Sequence, residues 1–369
     1  MKGVKINIIG RAPRVLVAPL EWGLGHATRC IPIIRELVSN GCEVIIGAEG
    51  QAKELLQPEF PELEFLSLRG YRMKYSRRPG WLPVIILLQF PKIIYSICNE
   101  YRWLKRLAKQ KGIDAVISDN RFGLYNRSVP SVYITHQLSI KTGNRFTSWL
   151  ANKIHRSFIR RYDACWVPDT EEKINLAGEL SHPAKLPATS ISYLGPLSRF
   201  EKTKEEEQFD LAVIISGPEP QRTIFEDLLL AALKSFNGRI LFVRGLPGNT
   251  SSSKAFPGNM EVHDHLSASD LNIAIQRSAF IISRCGYTTV MDLVKLKKHA
   301  LLIPTPGQAE QEYLAVYLSE EKIFPCIRQK DISLRLILEK KSNPFFVIPT
   351  MNQEGYKPIV KDFVEKLKG

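Results

Sequence analysis

The sequence predicts an α/β protein built from two doubly wound domains that face a cleft, with an amphipathic helix at its C-terminal end. Three observations lead to this prediction. The chain has 369 residues, which is more than a single hydrophobic core usually organises. Short apolar runs alternate with longer helical patterns. This alternation stops in a charged segment, residues 196–209, and then starts again.

The first domain is expected over residues 1–195. Its candidate strands are apolar on both faces, as strands of a parallel sheet are when helices cover both sides of the sheet. These strands are the runs 14–18, 43–48, 114–119, 131–135 and 163–168. Helical patterns at 26–39 and 147–161 separate some of them, which gives the βαβα order of a doubly wound sheet.

The second domain is expected over residues 210–350, after the linker 196–209. The same kind of strand recurs there, in the runs 210–216, 239–243, 279–283 and 299–304. Helical patterns occupy 220–236 and 287–297. In the tail, residues 351–369, apolar side chains recur at helical spacing, so the tail predicts a final amphipathic helix.

Cysteine usage and the first residues bear on the compartment. None of the six cysteines forms a C-x-x-C pair or has a partner at metal-ligand spacing, which suits a reducing cytosol. The basic and then apolar start resembles a signal peptide, but Arg11 and Arg14 interrupt the apolar run. We therefore interpret residues 14–18 as the first buried strand and expect a cytoplasmic protein.

Positive charge is concentrated in one segment. The net charge is +14, and residues 69–161 contain nineteen Lys and Arg against three acidic residues. Such a concentrated field favours an anionic partner; a merely solvated basic surface is the alternative. No nucleic-acid-binding motif is present, so we expect an anionic membrane surface and not nucleic acid.

An apolar stretch lies inside this basic segment, at residues 81–98. It contains two prolines and Lys92, which makes it a poor spanning helix. An interfacial helix among cations is the preferred interpretation, and a buried crossover helix is the alternative. The flanking cations are Arg72, Lys74, Arg77, Arg78, Arg102, Lys105 and Arg106. This pattern predicts a protein attached peripherally to the inner face of the membrane.

The first chemical motif is EWGLGHATR, residues 21–29, between the first strand and the first helix. Glycines in such a loop let the backbone approach an anion at a helix N-terminus, although a tight turn would have the same composition. His26 has a side chain suited to general-base work near neutrality. Asp119 and His136 end two further strands, so both are expected to face the same cleft as His26, with capping or structural roles as the alternative.

The second domain carries three loops of the same kind. Ser216 and Gly217 can offer a hydroxyl group and backbone N–H groups to a diphosphate. The segment SRCGYTTVMD, residues 283–292, joins a strand, a glycine turn and a helix start, and the loop after the next strand is PTPGQAEQ. Carboxylate and amide groups suit the recognition of ribose and sugar hydroxyls. The candidates are Gly286, Thr288, Thr289, Asp292, Gln308, Gln311 and Glu312.

Together these motifs resemble the GT-B glycosyltransferases, which have two Rossmann-like domains, and specifically glycosyltransferase family 28. The resemblance implies that Gly23, Gly25 and His26 form the loop facing the acceptor and the donor phosphates. It implies that Arg199 contacts the donor diphosphate and that the backbone around His265 and Leu266 reads uracil.

Two positions depart from the pattern of this family. Asp292 stands where the family usually has a ribose-binding Glu, and Gln311-Glu312 replaces a Gln-Gln pair that binds the donor sugar. The resemblance implies no cofactor and no metal, since the UDP-sugar is a co-substrate and no D-x-D motif ends a strand.

The leading hypothesis is transfer of a hexose or N-acetylhexosamine from a UDP-sugar to a lipid-linked or glycan acceptor at a membrane. His26 would deprotonate the acceptor, with Asp119 as helper or alternative base. The segment GLGHATRC also resembles the loop of hydrolases that release the sugar from a UDP-linked precursor of nonulosonic acids, so a UDP-sugar hydrolase is one alternative. A non-catalytic subunit that binds sugar nucleotides is another.

Overall fold

The computed structural model describes residues 11–21, 23–71, 82–246 and 256–369, with only the backbone for 82–88 and 90. The chain divides into two compact units. Unit 1 comprises Met1–Ser198 together with Met351–Gly369, and unit 2 comprises Arg199–Thr350. The C-terminal tail therefore belongs to the same unit as the N-terminal segment.

Unit 1 contains a seven-stranded parallel sheet in the order β3-β2-β1-β4-β5-β6-β7. Its strands are β1 (Arg14–Pro19), β2 (Glu43–Gly47), β3 (Glu64–Leu66), β4 (Ala115–Asp119), β5 (Ser131–Ile134), β6 (Ala164–Val167) and β7 (Ser190–Tyr193). Its helices are α1 (Leu24–Ser39), α2 (Gly50–Glu59), α3 (Leu82–Lys111) and α4 (Arg145–Ile159). The order and the parallel pairing are those of a doubly wound sheet.

Unit 2 contains a five-stranded parallel sheet in the order β10-β9-β8-β11-β12. Its strands are β8 (Leu211–Ile214), β9 (Ile240–Val243), β10 (Met260–His263), β11 (Ile281–Arg284) and β12 (Ala300–Ile303). Its helices are α5 (Gln221–Leu233), α6 (Ala268–Gln276), α7 (Tyr287–Leu296), α8 (Ala309–Glu320) and α9 (Leu334–Lys341). The prediction of two parallel α/β domains is confirmed.

Apolar side chains on both faces of the interior strands explain why these segments form sheets. In unit 1, Leu16 and Val116 pack against Leu104 and Leu107 of α3 in one buried cluster. In unit 2, strands β8, β9, β11 and β12 bury their apolar residues against α5, where Phe225 is fully buried. Burial of this kind is the main favourable contribution to folding.

The tail forms α10 (Tyr356–Lys368), which packs on unit 1. Its buried stripe is Val360, Phe363, Val364 and Leu367, at the spacing expected for an amphipathic helix. The Phe363 ring meets Trp166 of β6 edge-on, with 5.4 Å between ring centroids. Gly195 lets the returning chain approach, because a Cβ there would lie 2.3 Å from the backbone oxygen of Asn352.

Residues 82–98 of the apolar stretch form the first part of α3, which runs thirty residues in all, and Trp81 lies outside the described residues. Within the described residues, no helix combines the length and hydropathy needed to cross a membrane. Residues Ile93 and Ile97 pack against Ile154 and Phe158 of α4. One face of α3 is therefore buried, while Tyr95 on the same helix is exposed.

Candidate functional site

The carboxyl ends of three neighbouring strands bring together the polar residues of unit 1. His26 lies in the first turn of α1, just after β1. Asp119 is the last residue of β4, in register with Pro19 of β1. His136 follows β5, the next strand in the sheet. The three side chains predicted to face one edge thus share one location, as parallel strands require.

Arg29 joins these three residues, and the sequence interpretation did not single it out. Its guanidinium donates from Nε to Asp119 Oδ2 at 2.5 Å and from Nη2 to Asp119 Oδ1. Its Nη1 lies 3.0 Å from His136 Nδ1. Because Arg29 and His26 are three residues apart on α1, both face the same side of the helix. The three-residue spacing of His26 and Arg29 in GHATR was the signal in the sequence that could have identified Arg29.

His26 is held by Asp119 in one orientation. Its Nδ1 lies 2.7 Å from Asp119 Oδ1. An ionised carboxylate only accepts hydrogen bonds, so Nδ1 carries the proton and donates it, and Nε2 keeps its lone pair. Arg29 Nη2 also lies 2.8 Å from Nδ1. A guanidinium only donates, so this contact would be a hydrogen bond only in the opposite tautomer. The shorter contact to the charged Asp119 carboxylate favours the proton on Nδ1. The unprotonated Nε2 is the atom available as a base.

Burial and charge set the protonation of the group. Burial lowers the pKa of His26, and the Arg29 charge lowers it further, although Asp119 opposes both effects. Burial would raise the pKa of Asp119, but Arg29 and His26 lower it to about 2. At neutral pH, Asp119 is therefore ionised and His26 is neutral, which is the state that a general base requires.

Exposure distinguishes the two candidate bases. The His26 side chain is 14% exposed, whereas Asp119 is fully buried. Both Asp119 oxygens already accept hydrogen bonds from His26 and Arg29. Asp119 therefore lies behind His26, where its carboxylate holds the imidazole ring in one orientation. His136 is also buried and contacts Arg29.

Glycines precede His26, whose side chain is 14% exposed. Gly23 caps the helix with φ of 92°, a conformation that side chains other than glycine rarely adopt. Gly25 is half-buried, and its carbonyl accepts a hydrogen bond from the Thr28 hydroxyl at 3.0 Å. The sharp turn brings the chain from β1 into α1 within a few residues.

The donor candidates of unit 2 lie in four loops that follow strands β8, β10, β11 and β12. All four are at the carboxyl edge of the sheet, and each leads into a helix N-terminus, which favours anions. Ser216 and Gly217 are exposed after β8. His265 is exposed and Leu266 half-buried after β10. Arg199, the first residue of unit 2, has its guanidinium 5.1 Å from the ring centroid of Phe200.

The loop after β11 leads directly into α7. Gly286 caps this helix, and Thr288, Thr289 and Asp292 are half-buried on its first turns. Their positions suit a ligand resting at the helix N-terminus. Arg284 ends β11 just before this loop and is buried. Sequence reasoning did not identify Arg284, because nothing in its local pattern indicates that its side chain points inward.

The loop after β12 is organised by the side chains expected to bind the donor sugar. Gln311 accepts a hydrogen bond from the Thr305 N–H at 2.8 Å and donates to Gln308 Oε1 at 2.7 Å. Glu312 accepts from the Gly307 N–H at 2.8 Å. These side chains therefore shape the loop itself, a function that the sequence did not predict.

A basic and aromatic surface covers parts of α3 and α4. On α4, Phe146 is 70% exposed and Trp149 54% exposed, and their rings stack with 6.1 Å between centroids. The Lys153 ammonium lies 5.4 Å from the centroid of the Trp149 ring. Tyr95 of α3 is 65% exposed. The predicted cations Arg72, Lys74, Arg77 and Arg78 lie outside the described residues.

Comparison with known proteins bears on both units. Residues 244–346 match the glycosyltransferase family 28 C-terminal domain. An uncharacterized glycosyltransferase of Methanosarcina mazei is 23% identical over 331 residues, which are 84% of this chain and 84% of that relative. Arabidopsis thaliana UGT89C1 complexed with quercetin superposes with a TM-score of 0.67 at 14% identity, covering 97% of this chain and 100% of the other.

A second solved structure superposes over nearly the whole chain. MurG of Acinetobacter baumannii superposes with a TM-score of 0.54 at 14% identity, covering 96% of this chain and 99% of the other. At these identities the superpositions establish the fold, and they confirm the predicted GT-B architecture.

Proposed function

We propose that the chain is a glycosyltransferase, because residues 244–346 match the glycosyltransferase family 28 C-terminal domain, a curated relative is a glycosyltransferase, and the fold is of the GT-B type. It transfers a hexose or N-acetylhexosamine from a UDP-sugar to a hydroxyl group of a lipid-linked or glycan acceptor. The main support for this proposal is the His26–Asp119–Arg29 group, which leaves one imidazole nitrogen unprotonated on a side chain that is 14% exposed in the first turn of α1.

In the proposed chemical step, His26 Nε2 removes the proton from the acceptor hydroxyl. The acceptor oxygen forms a bond to the anomeric carbon as the bond from that carbon to the diphosphate oxygen breaks, and UDP leaves with both electrons of that bond. The proton held by Nε2 then passes to solvent. Asp119 stabilises the imidazolium that forms in between, because its charge faces Nδ1 at 2.7 Å.

Unit 2 is proposed to hold the donor. Helix N-termini and loop amides stabilise negative charge on the departing diphosphate, together with Arg199, so no metal is required. Asp292 is placed one helical turn into α7, where a carboxylate can accept hydrogen bonds from ribose hydroxyls. The choice of uridine rests on the resemblance of the second-domain loops to the uridine-binding pattern of family 28.

The acceptor is proposed to lie at an anionic membrane. Exposed aromatic rings on α4 suit the interfacial region of a bilayer. The segment 69–161 supplies cations, each contributing about 1 kcal/mol near such a surface. We therefore propose cytoplasmic, peripheral attachment through this part of unit 1.

The test is a matched pair of histidine variants. His26→Ala should lower turnover by about 10²–10⁴-fold, the usual contribution of a general base, while UDP affinity stays within about twofold. The control is His299→Ala, which removes an exposed imidazole outside the proposed site and should leave turnover and UDP affinity unchanged. Turnover is measured as UDP release with membrane lipids as acceptor, and affinity by calorimetry.

The remaining outcomes separate the alternatives. Normal turnover in His26→Ala would exclude the base assignment. Loss of UDP binding together with turnover would instead make His26 a phosphate ligand. Free reducing sugar released at an equal rate without acceptor would identify a UDP-sugar hydrolase.

A further inference from the structure

Arg284 is a buried cation at the carboxyl end of β11, with 2% of its surface exposed. Its Nη2 donates to the Gln221 carbonyl at 3.0 Å and its Nη1 to the Pro304 carbonyl at 3.3 Å. The guanidinium carbon lies 3.8 Å from the centroid of the Phe225 ring. Its Nε is buried and has no hydrogen-bond partner among the described residues.

These contacts connect three of the loops assigned to the donor. Gln221 is the first residue of α5, so it closes the loop that contains Ser216 and Gly217. Pro304 follows β12 and opens the loop that contains Gln308. Arg284 itself lies two residues before Gly286, which caps α7. The Arg284 side chain therefore connects three loops whose motifs are far apart in the sequence.

The charge of Arg284 is unusual in its surroundings. Nearby, Arg244 pairs with Glu226 and Asp264, and Arg222 pairs with Glu219 and Glu226. In the part of the chain that the structure describes, Arg284 pairs with no carboxylate, and it contacts only carbonyl oxygens and an aromatic face. Burial lowers its pKa to about 10, so it remains charged at neutral pH.

A buried charge without a counter-charge is costly, and an anion bound nearby recovers part of that cost. We propose that Arg284 is a positioning residue for the donor, and that its unneutralised charge favours the diphosphate at the loops it connects. This inference rests on the proposed function, since it assumes that unit 2 binds a nucleoside diphosphate.

Its test compares a charged and an uncharged ligand. UDP and uridine share the base and ribose, and only UDP carries the diphosphate. Arg284→Met should weaken UDP binding about tenfold, which corresponds to about 1.4 kcal/mol, and leave uridine binding within about twofold. Arg284→Lys keeps the charge and should stay within about threefold of wild type for UDP. Both affinities are measured by calorimetry on the full chain, with thermal unfolding to check that each variant folds.

The matched control is Arg239→Met. Arg239 is exposed and directly precedes β9, at the opposite edge of the same sheet, so its removal should change neither affinity. Equal weakening of UDP and uridine in Arg284→Met, or unchanged UDP binding, overturns the inference. A similar loss of UDP binding in Arg284→Lys also overturns it, because charge would then not be the cause. A wild-type protein that binds no UDP refutes the proposed donor, and the inference with it.

Discussion

Replacement of Arg29 by Met is expected to raise the pKa of His26. Arg29 Nη2 lies 2.8 Å from His26 Nδ1, so protonation of the imidazole brings two positive charges together. At a charge separation of about 4 Å and an effective dielectric constant of about 20, their repulsion is about 4 kcal/mol. Water entering the vacated space screens part of this repulsion, so the pKa of His26 should rise, but by less than the full repulsion would give.

The same substitution leaves Asp119 buried with fewer partners. Removing one member of a buried ion pair typically costs about 3–5 kcal/mol, so Arg29→Met should also lower the free energy of unfolding. Arg29→Lys retains a cation, so it should change the pKa of His26 and the free energy of unfolding less than Arg29→Met does. Arg35→Met is the control, because Arg35 lies on the same helix but pairs with Glu59 at the surface.

The measurement is an NMR titration of the His26 ring, assigned by comparison with His26→Ala. In parallel, the acidic limb of the kcat/KM profile should move to higher pH by the same amount. A pKa that stays constant or falls in Arg29→Met would refute the reasoning. In that case Asp119 would have taken up the proton expected on His26, and it would no longer support the ring.

Three further predictions concern other parts of the chain. Asp292→Ala should weaken UDP binding by about 1–3 kcal/mol through loss of a charge-assisted hydrogen bond, and unaltered affinity in calorimetry would reject the ribose assignment. Burial lowers the pKa of His155 from 6.5 to about 4, so the unfolded chain binds the proton first as the pH falls. His155 therefore leaves the free energy of unfolding unchanged above pH 6.5 and lowers it by about 3 kcal/mol as the pH falls from 6.5 towards 4. Urea unfolding of His155→Phe should show a flatter pH dependence, and an identical profile would contradict this. The protein should bind anionic vesicles, be released by salt, and bind less after Trp149→Ala, whereas equal binding to neutral vesicles would count against the electrostatic part.

The interior strands were predictable because their runs are apolar on both faces. Strands β3, β7 and β10 were not predicted, and all three lie at sheet edges. These three strands are partly exposed and contain polar residues, so they lack a strong apolar signal, whereas the edge strand β12 is apolar and buried throughout and was predicted. Helix α3 was recognised only in its apolar first part, because its amphipathic continuation to Lys111 has a different composition.

The sequence could predict where the site residues lie, but not which residues they form hydrogen bonds with. His26 and Asp119 follow strands, and the rule for parallel sheets places both at one edge. Arg29 acts on a carboxylate ninety residues away in the chain, and no local pattern reports such a partner. In the same way, the residue types of Gln311 and Glu312 suggest sugar recognition, whereas their bonds to the Thr305 and Gly307 amides depend on the loop conformation.

The return of α10 to unit 1 has a consequence for how the chain folds during synthesis. Unit 2 is one uninterrupted segment, Arg199–Thr350, and all its strands have been made before α10 begins. Unit 1 lacks the side chains that cover Trp166 until Phe363 has left the ribosome. The N-terminal unit, although made first, is thus completed last. An excised segment 199–350 is the part best suited to independent expression, whereas a chain that stops before α10 leaves an apolar face of unit 1 open to aggregation.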